Sequence, residues 1–444
     1  MKQRHLVVAS LALFAIVLPG CLNARVGQRC ATTDFGRDAT HLLRCQRGRW
    51  VRVATIEQVT AVVINILKAR STNTMARPPT STSPTALPAS TVPATPTTTS
   101  VPPAVLTSIS SGYEHTCSVK SGVVRCVGSN GYGSLGTGVT GGPSSTAWLP
   151  TGITDATSVE LGSQNGCALR SNGSISCWGS GEGGELGNSD TVNSNVPSTV
   201  SGITNAVQVS MGPNGGCARL ATAAVRWWGS GYGASPVEVP GPSATSIDVG
   251  ELHRCARTTG GGVVCWGANN VGQLGDNSTN SSSTPVPVVG LTSGLIGIGA
   301  GRDVSCAVRA DGTVWCWGDG SGGALGNGSS SGFAQQPVKV SGITNAAQVA
   351  VGFYHACARL STGQVKCWGS NSVGQLGTGD ATPSPTPVLV SGLSTATALS
   401  AGAEHTCALV SGDAAVCWGR GGEGQLGQGA QTSSNVPAAV LGLP

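Results

Sequence analysis

Sixteen cysteines stand out among the residues that could do chemistry, because thirteen of them recur at a regular pitch. A first column has spacings of 50, 50, 38, 51, 51 and 50 residues: Cys117, Cys167, Cys217, Cys255, Cys306, Cys357 and Cys407. A second column follows nine or ten residues later: Cys126, Cys177, Cys265, Cys316, Cys367 and Cys417. Two thiolates per unit are poor metal sites, whereas cysteines facing each other on paired strands form disulfides. We therefore predict six hairpin disulfides, with reduced buried cysteines as the alternative.

The turns between these cysteines support that pairing. Ser171-Asn172-Gly173 lies midway between Cys167 and Cys177, and a three-residue loop with a left-handed third residue places the two opposite each other. Asp413 holds the third position in the last unit, and the first unit has room for a two-residue turn at Ser121-Gly122. Cys217 faces Trp227 instead of a cysteine, so we expect it to be buried and free.

No residue pattern predicts catalysis. His115, His253, His355 and His405 all precede a first-column cysteine by two residues, and such recurrence favours a structural hydrogen bond over an active site. The G-x-G-x-x-G matches at 131–136 and 422–427 are copies of a repeated turn with no helix behind them to hold a phosphate. Carboxylates are scattered along residues 106–444, so no acid–base pair is predicted. We expect no enzyme activity, metal or cofactor.

The repeating unit indicates the fold. About fifty residues leave room for four short strands with turns, which is one propeller blade. Trp-Gly follows the second cysteine column, and alternation along a strand turns the tryptophans to the opposite side. We interpret them as packing between blades, with ligand stacking as the alternative. The prediction is an all-β, seven-bladed β-propeller over residues 106–444, in which 101–109 pairs with the last blade.

The order Gly-x-x-His-x-Cys-Ala, Val-x-Cys-Trp-Gly and Gly-Gln-Leu-Gly resembles the repeat of the regulator of chromosome condensation family. The resemblance implies a seven-bladed propeller. Some family members are guanine-nucleotide exchange factors or bind chromatin, and similar repeats build secreted bacterial inhibitors of hydrolases. Those functions are alternatives for this chain.

The N-terminus predicts export. Residues 1–21 combine Lys2 and Arg4 with an apolar run of the length of a secretory signal, too short to span a bilayer comfortably. The run ends in Leu-Pro-Gly-Cys, which resembles the bacterial lipoprotein signal, with Cys21 as the lipidated residue. An ordinary secreted protein is the alternative. Both place the chain in an oxidising compartment.

Two segments separate the signal from the propeller. Residues 22–70 read as a small module in which Cys30 and Cys45 pair and 56–67 forms a helix. Residues 71–105 are a disordered linker rich in Ser, Thr and Pro. Residues 1–105 hold 12 Lys and Arg against 3 Asp and Glu, a net +9, whereas 106–444 hold 13 against 17, a net −4. An acidic propeller argues against nucleic-acid binding.

Two adjacent positions in each repeat vary, whereas the glycine before them and the histidine column after them recur. A changing pair of residues precedes the histidine column in every unit, and the partner-binding residues predicted there are Tyr113, Glu114, Glu251, Arg302, Phe353, Tyr354 and Glu404. Variable loops on a constant frame are typical of a recognition surface, with drift in tolerant loops as the alternative. We predict a monomeric scaffold, lipid-anchored to a bacterial cell envelope, that binds a protein or glycan. An envelope enzyme acting in the central pore is a further alternative.

Overall fold

The computed structural model describes the strands within residues 35–55 and residues 106–241 and 243–442. The chain divides into two units, residues 1–99 and 100–444. In the first unit, β1 (Phe35–Arg37), β2 (His41–Gln46) and β3 (Arg49–Thr55) form an antiparallel sheet in that order. The predicted Cys30–Cys45 pair, the helix at 56–67, the linker and the signal with Cys21 lie outside the described residues.

The second unit consists of seven four-stranded antiparallel sheets, each built from consecutive strands. The first four blades are β4 (Leu106–Ser111), β5 (His115–Lys120), β6 (Val123–Asn130), β7 (Gly141–Trp148); β8 (Ala156–Leu161), β9 (Asn165–Arg170), β10 (Ile175–Gly179), β11 (Ser194–Thr199); β12 (Ala206–Gly212), β13 (Gly215–Leu220), β14 (Val225–Gly229), β15 (Gly233–Glu238); and β16 (Ala244–Val249), β17 (His253–Thr258), β18 (Val263–Gly267), β19 (Ser282–Pro287). The last three are β20 (Leu295–Ala300), β21 (Val304–Arg309), β22 (Val314–Asp319), β23 (Phe333–Lys339); β24 (Ala346–Val351), β25 (His355–Leu360), β26 (Val365–Gly369), β27 (Ser384–Leu389); and β28 (Ala396–Ala401), β29 (His405–Val410), β30 (Ala414–Gly419), β31 (Ser434–Ala439). A 3₁₀ turn spans Ser321–Gly323.

The blades form a ring in which the first strand of each lies innermost. Each sheet packs on the next, and β28 and β29 of the last blade pack on β4 of the first. The second and third strands are almost fully buried, whereas the outermost strands are largely exposed. This arrangement confirms the predicted seven-bladed propeller. Among the described residues, no helix has the length and apolarity required to cross a bilayer.

The hairpins between the second and third strands have the predicted register. Cys167 pairs with Cys177 directly across the sheet, and all six predicted cysteine pairs are disulfide-bonded with Cα atoms 4.0 to 4.1 Å apart. Gly173 and Asp413 both have positive φ, 80° and 65°, as the three-residue loop requires. Cys217 is buried and unpaired, opposite Trp227. The sequence-based predictions for these thirteen cysteines are confirmed.

The repeated tryptophans pack between blades, as predicted. Trp317 of the fifth blade is fully buried, and its indole Nε1 donates to the carbonyl of Gln273 in the fourth, at 2.9 Å. Four other tryptophans make the equivalent bond to the preceding blade: Trp178, Trp228, Trp368 and Trp418. The accepting residue directly precedes the repeated leucine, such as Leu274, which is itself fully buried. The Gly-x-Leu-Gly segment therefore serves as the socket for the next blade's tryptophan.

The histidines also join neighbouring blades. His355 Nε2 lies 2.9 Å from the hydroxyl of Thr406 in the next blade, and His405 makes the same contact with Thr116 across the ring closure. His253 pairs with Ser305 and His115 with the carbonyl of Asn165. Burial lowers the pKa of the four rings to about 3 or 4, so they are neutral at pH 7. The predicted structural role is confirmed.

Within the described residues, each blade is completed by its own four consecutive strands. The prediction that 101–109 pairs with the last blade is wrong for its described part, because β4 pairs with β5 of its own blade. At six junctions the first residue of an inner strand donates its N–H to a backbone carbonyl of the preceding hairpin turn, as Ala206 does to Gly173. At the closure, Leu106 N–H donates instead to the carboxylate of Asp413, which also pairs with Lys120. A side chain thus replaces the backbone acceptor where the two ends of the ring meet.

Candidate binding rim and central channel

The turns between the first and second strands lie at one end of the ring and surround its axis. We call these turns the rim; they comprise residues 112–114, 162–164, 213–214, 250–252, 301–303, 352–354 and 402–404. The seven predicted partner-binding residues all lie in it. Backbone bonds join neighbouring turns, as from Tyr113 N–H to the carbonyl of Gly162. Among the described residues such bonds join four of the seven neighbouring pairs of turns, so much of the rim is connected through its backbone.

A glycine at the start of six turns, and Gly212 directly before the remaining one, allows this close approach. A Cβ built on Gly301 would lie 2.0 Å from the carbonyl oxygen of Gly352 in the next blade. No side chain fits at such a separation, so the framework glycine fixes the spacing of adjacent turns.

Aromatic and charged side chains connect across the rim. The rings of Tyr113 and Phe353 meet edge to face with centroids 5.2 Å apart, although the seventh blade lies between their blades. The Arg302 guanidinium lies 5.2 Å from the Tyr354 ring centroid and 5.9 Å from that of Phe353. Its Nε is 3.0 Å from the Glu251 carboxylate. These contacts link turns of the fourth, fifth, sixth and first blades.

Arg420 extends this network and was missed by sequence reasoning. Its guanidinium lies 2.9 Å from Glu404 and 3.4 Å from Glu114. Arg420 directly follows the Trp-Gly of its repeat, where five other blades carry serine or alanine and the fifth blade carries Asp319. The arginine at this position was the feature of the sequence that could have identified it. The first and seventh blades are thereby joined by a shared cation.

The rim carries more acids than bases. Glu114, Glu251, Asp303 and Glu404 surround Arg302 and Arg420, and Glu423 lies close enough to affect Glu114. Burial raises the pKa of Glu114 against the opposing effect of Arg420, and burial together with Glu251 raises that of Asp303. The second and third blades contribute only uncharged residues, Ser163, Gln164, Pro213 and Asn214.

A central channel opens within the rim. Its cavity of about 400 Å³ is lined by the seven inner strands and continues to Tyr113, Glu251 and Phe353. One position of each inner strand, five residues before the histidine column, forms a layer just below the rim: Ser110, Glu160, Ser210, Asp248, Gly299, Ala350 and Ser400. We call this set the channel layer.

The channel layer contains two carboxylates. Glu160 accepts a hydrogen bond from Ser110 at 3.3 Å, and Asp248 accepts from Ser210 at 3.1 Å and from the backbone of Val249 and Ala300. Burial and repulsion by Asp248 raise the pKa of Glu160 to about 8. Burial raises the pKa of Asp248 to about 6, although the donated hydrogen bonds lower it.

The expectation of scattered carboxylates is wrong for these two residues, which the register of the inner strands brings to one height. Counting back from the histidine column would have revealed them. In the part of the chain that the structure describes, no three His, Cys, Asp or Glu residues converge as metal ligands. The histidines lie between blades and do not join the carboxylates. The arrangement offers recognition groups and no nucleophile–base pair.

The seven radial four-stranded sheets, with their rim and channel, define a β-propeller built from sequence repeats. Two family models, both described as regulator of chromosome condensation (RCC1) repeat, match it. One covers residues 172–218, 260–308, 311–359 and 362–409, and the other 244–273, 296–324, 346–375 and 396–425. The chain belongs to the regulator of chromosome condensation repeat family.

Two known proteins are similar in sequence to parts of this chain. The human E3 ubiquitin-protein ligase HERC2 is 29% identical over 218 residues, which are 48% of this chain and 4% of the ligase. The ultraviolet-B receptor UVR8 of Arabidopsis thaliana is 33% identical over 154 residues, 34% of this chain and 35% of the receptor. The chain thus spans a small part of the ligase and about a third of the receptor.

Among solved structures, Prp20p from Saccharomyces cerevisiae superposes with a TM-score of 0.63 at 18% identity, over 74% of this chain and 86% of that one. Yeast RCC1 (Prp20) in its Kap60 complex gives a TM-score of 0.65 at 18% identity, over 81% and 91%. At this identity the likeness concerns the fold alone.

Proposed function

We propose that this chain is an exported, lipid-anchored propeller that recognises a protein partner through its rim. The observation that carries the proposal is the connected set of aromatic and charged side chains on the rim. Tyr113 is 37% exposed and Phe353, Tyr354 and Arg302 are half-buried, so their aromatic and guanidinium groups are accessible yet held in place. Tyr, Phe and Arg are the residues enriched in protein interfaces, and pre-ordered side chains lose little entropy on binding.

The comparisons agree with a binding role. Prp20p is described for its binding properties to Gsp1p and histones, and yeast RCC1 for a complex with Kap60. Both descriptions concern one yeast protein of this fold that binds other proteins, which supports a binding role for this chain. The partner of this chain must match the aromatic and acidic side chains of its own rim.

Capture from an envelope extract tests the rim. The intact propeller is compared with the triple variant Tyr113→Ala, Phe353→Ala, Tyr354→Ala. A matched control removes three exposed apolar side chains from outermost strands, Trp148→Ala, Val237→Ala and Leu389→Ala. We expect the rim variant to lose a partner that the control retains, with affinity reduced at least about a hundredfold, since central aromatic residues each contribute about 2 kcal/mol or more. Equal recovery by all three proteins would exclude the rim.

Export and anchoring need a separate experiment. Cys21→Ser removes the thiol that would carry the lipid, and the full chain produced in a bacterial host should then leave the membrane fraction and lose incorporation of labelled palmitate. The oxidising compartment is supported by the six disulfides. An unchanged distribution of Cys21→Ser between membrane and soluble fractions would contradict the anchor.

A further inference from the structure

The channel layer places acidic side chains behind the rim. Its two carboxylates, Glu160 and Asp248, line the same cavity as the rim residues Tyr113 and Phe353. A side chain reaching through the mouth of the channel would therefore meet the two carboxylates directly below it.

Both carboxylates lack a cation. Among the described residues, the ion pairs do not include Glu160 or Asp248. Arg257 also lines the cavity, but its guanidinium donates to the carbonyl of Leu295, the first residue of an inner strand and so at the end away from the rim. Carboxylates removed from water are costly unless they are paired, and here the pairing group is missing.

Glu160 has fewer partners than its position permits. Elsewhere a polar side chain of this layer accepts the N–H of the next blade's inner strand: Ser110 from Leu161, Asp248 from Ala300, and Ser400 from Ser111. Glu160 makes no such bond in the described structure and accepts only from the Ser110 hydroxyl. Its carboxylate is not needed to satisfy the backbone, which leaves it available to a ligand.

The rim above has the same sign of charge. Its acids Glu114, Glu251, Asp303 and Glu404 outnumber Arg302 and Arg420, and both arginines are already paired with them. The four acids exceed the two arginines, and this excess of negative charge around a narrow opening attracts cations. Charge complementarity thus selects a basic partner surface.

We propose that the partner presents a lysine or arginine side chain that enters the channel and pairs with Glu160 and Asp248. This inference rests on the proposed function of the rim, and it specifies the chemistry of the partner. The rim would bind the surrounding protein surface, while the two carboxylates would select a basic residue at its centre.

A heptalysine peptide is the defined reagent for the test. Its affinity is measured by fluorescence anisotropy for the intact chain, for Glu160→Gln with Asp248→Asn, and for a control that removes two charges from the exposed residues Asp190 and Glu238, as Asp190→Asn and Glu238→Gln. We expect the channel variant to bind about tenfold more weakly, and the control less than twofold. Equal weakening by both variants would mean that the peptide senses only net charge, and the inference would be overturned.

Folding of the variants is checked by thermal unfolding. Glu160→Gln keeps the Ser110 contact and removes a buried carboxyl group that is about half ionised at pH 8, so we expect its melting temperature at that pH to equal or exceed that of the intact chain. If Glu160→Gln melts at a clearly lower temperature, the carboxylate is structural and the inference fails. Glu160→Gln alone also serves as the binding variant if the double substitution does not fold.

The two proposals fail in different ways. Loss of peptide affinity in the channel variant, with no partner lost in the triple rim variant, would retain the basic-residue site and reject the rim. Loss of the partner in the rim variant, with peptide affinity independent of Glu160 and Asp248, would retain the rim and reject the site.

Discussion

The contact between the third and fourth blades is built differently from that between the fourth and fifth. At the fourth–fifth contact, Trp317 inserts behind Leu274 and donates to the carbonyl of Gln273, while His253 bonds Ser305. At the third–fourth contact the fourth blade's Trp266 is present, but the leucine segment and the histidine of the preceding blade are missing. The third repeat lacks the Gly-x-Leu-Gly segment, and Gly215 stands at the histidine position.

At the third–fourth contact an arginine stacks on aromatic rings instead. The Arg254 guanidinium stacks on the Trp227 ring, 3.5 Å from its centroid, and lies 5.6 Å from that of Tyr232. Arg254 is only 5% exposed, and its buried Nε has no hydrogen-bond partner in the described structure. Cys217 belongs to the same region, and burial raises the pKa of its thiol to about 12. The comparison shows that a stacked arginine and an extra tryptophan belong to the contact where the leucine segment and the histidine are missing.

Polar side chains at the channel hold this divergent contact in register. Gln208 donates to the carbonyl of Ile247 at 2.9 Å and accepts its N–H at 3.1 Å, which reproduces a short stretch of strand pairing. Asn214 donates to the carbonyl of Glu251 in the rim. The geometry of the rim is therefore preserved where the outer part of the interface has changed.

Acid should weaken the regular contacts most. The four buried histidines have pKa values of about 3 or 4 against 6.5 unfolded, so the unfolded chain takes up protons first as pH falls. The free energy of unfolding that the neutral rings contribute is fully present above pH 6.5. It falls towards pH 4 by about 1.4 kcal/mol per pH unit for each ring. Glu160 and Asp248, with raised pKa values, change in the opposite sense and offset part of this loss.

Urea unfolding at pH 7.0, 6.0 and 5.0 measures this dependence. We expect His355→Gln to reduce the pH dependence of the free energy of unfolding by the contribution of one histidine, whatever its effect on stability at pH 7. A slope unchanged by this substitution would show that His355 does not link protonation to folding.

Removing a tryptophan should distinguish the two kinds of contact. Trp317→Ala empties a fully buried site and leaves the Gln273 carbonyl without its donor, at a cost of about 4 to 6 kcal/mol. Trp266→Ala removes an equally buried ring that makes no such bond in the described structure, and should cost about 1 kcal/mol less. Denaturant midpoints at pH 7 measure the difference, and equal losses would contradict the socket role of the Gly-x-Leu-Gly segment.

Disulfide removal should affect the regular blades alone. Cys306→Ala with Cys316→Ala opens a ten-residue loop and should cost about 2.5 to 3 kcal/mol by loop-closure entropy. Cys217→Ala changes no cross-link, so its free energy of unfolding should respond to a reducing agent as that of the intact chain does. A double variant as stable as the intact chain under oxidising conditions would mean that strand pairing already fixes the hairpin.

Features that recur in every repeat could be predicted from the sequence, whereas contacts that occur once in the ring were missed. The pitch of the cysteines gave the blades, and turn residues such as Gly173 and Asp413 gave the hairpin register, because each depends on local geometry. Asp413 was recognised as a turn residue, yet its bond to Leu106 spans 307 positions and follows only from ring closure. Glu160 and Asp248 were missed for a similar reason, since their proximity depends on the circular order of blades.

The smallest expected effect concerns Arg254→Leu. Leucine would restore the side-chain type that fills the regular sockets and would remove a guanidinium whose pKa burial lowers. Replacement of buried charges by apolar groups is often neutral or stabilising, so we expect a change within about 1 kcal/mol, whereas Arg254→Ala should leave a cavity and destabilise by about 2 to 3 kcal/mol. Thermal unfolding of both variants makes the measurement. If Arg254→Leu destabilises as much as Arg254→Ala, stacking on Trp227 is itself a main stabilising contact of this interface, and the two kinds of blade contact are then equal in strength though different in chemistry.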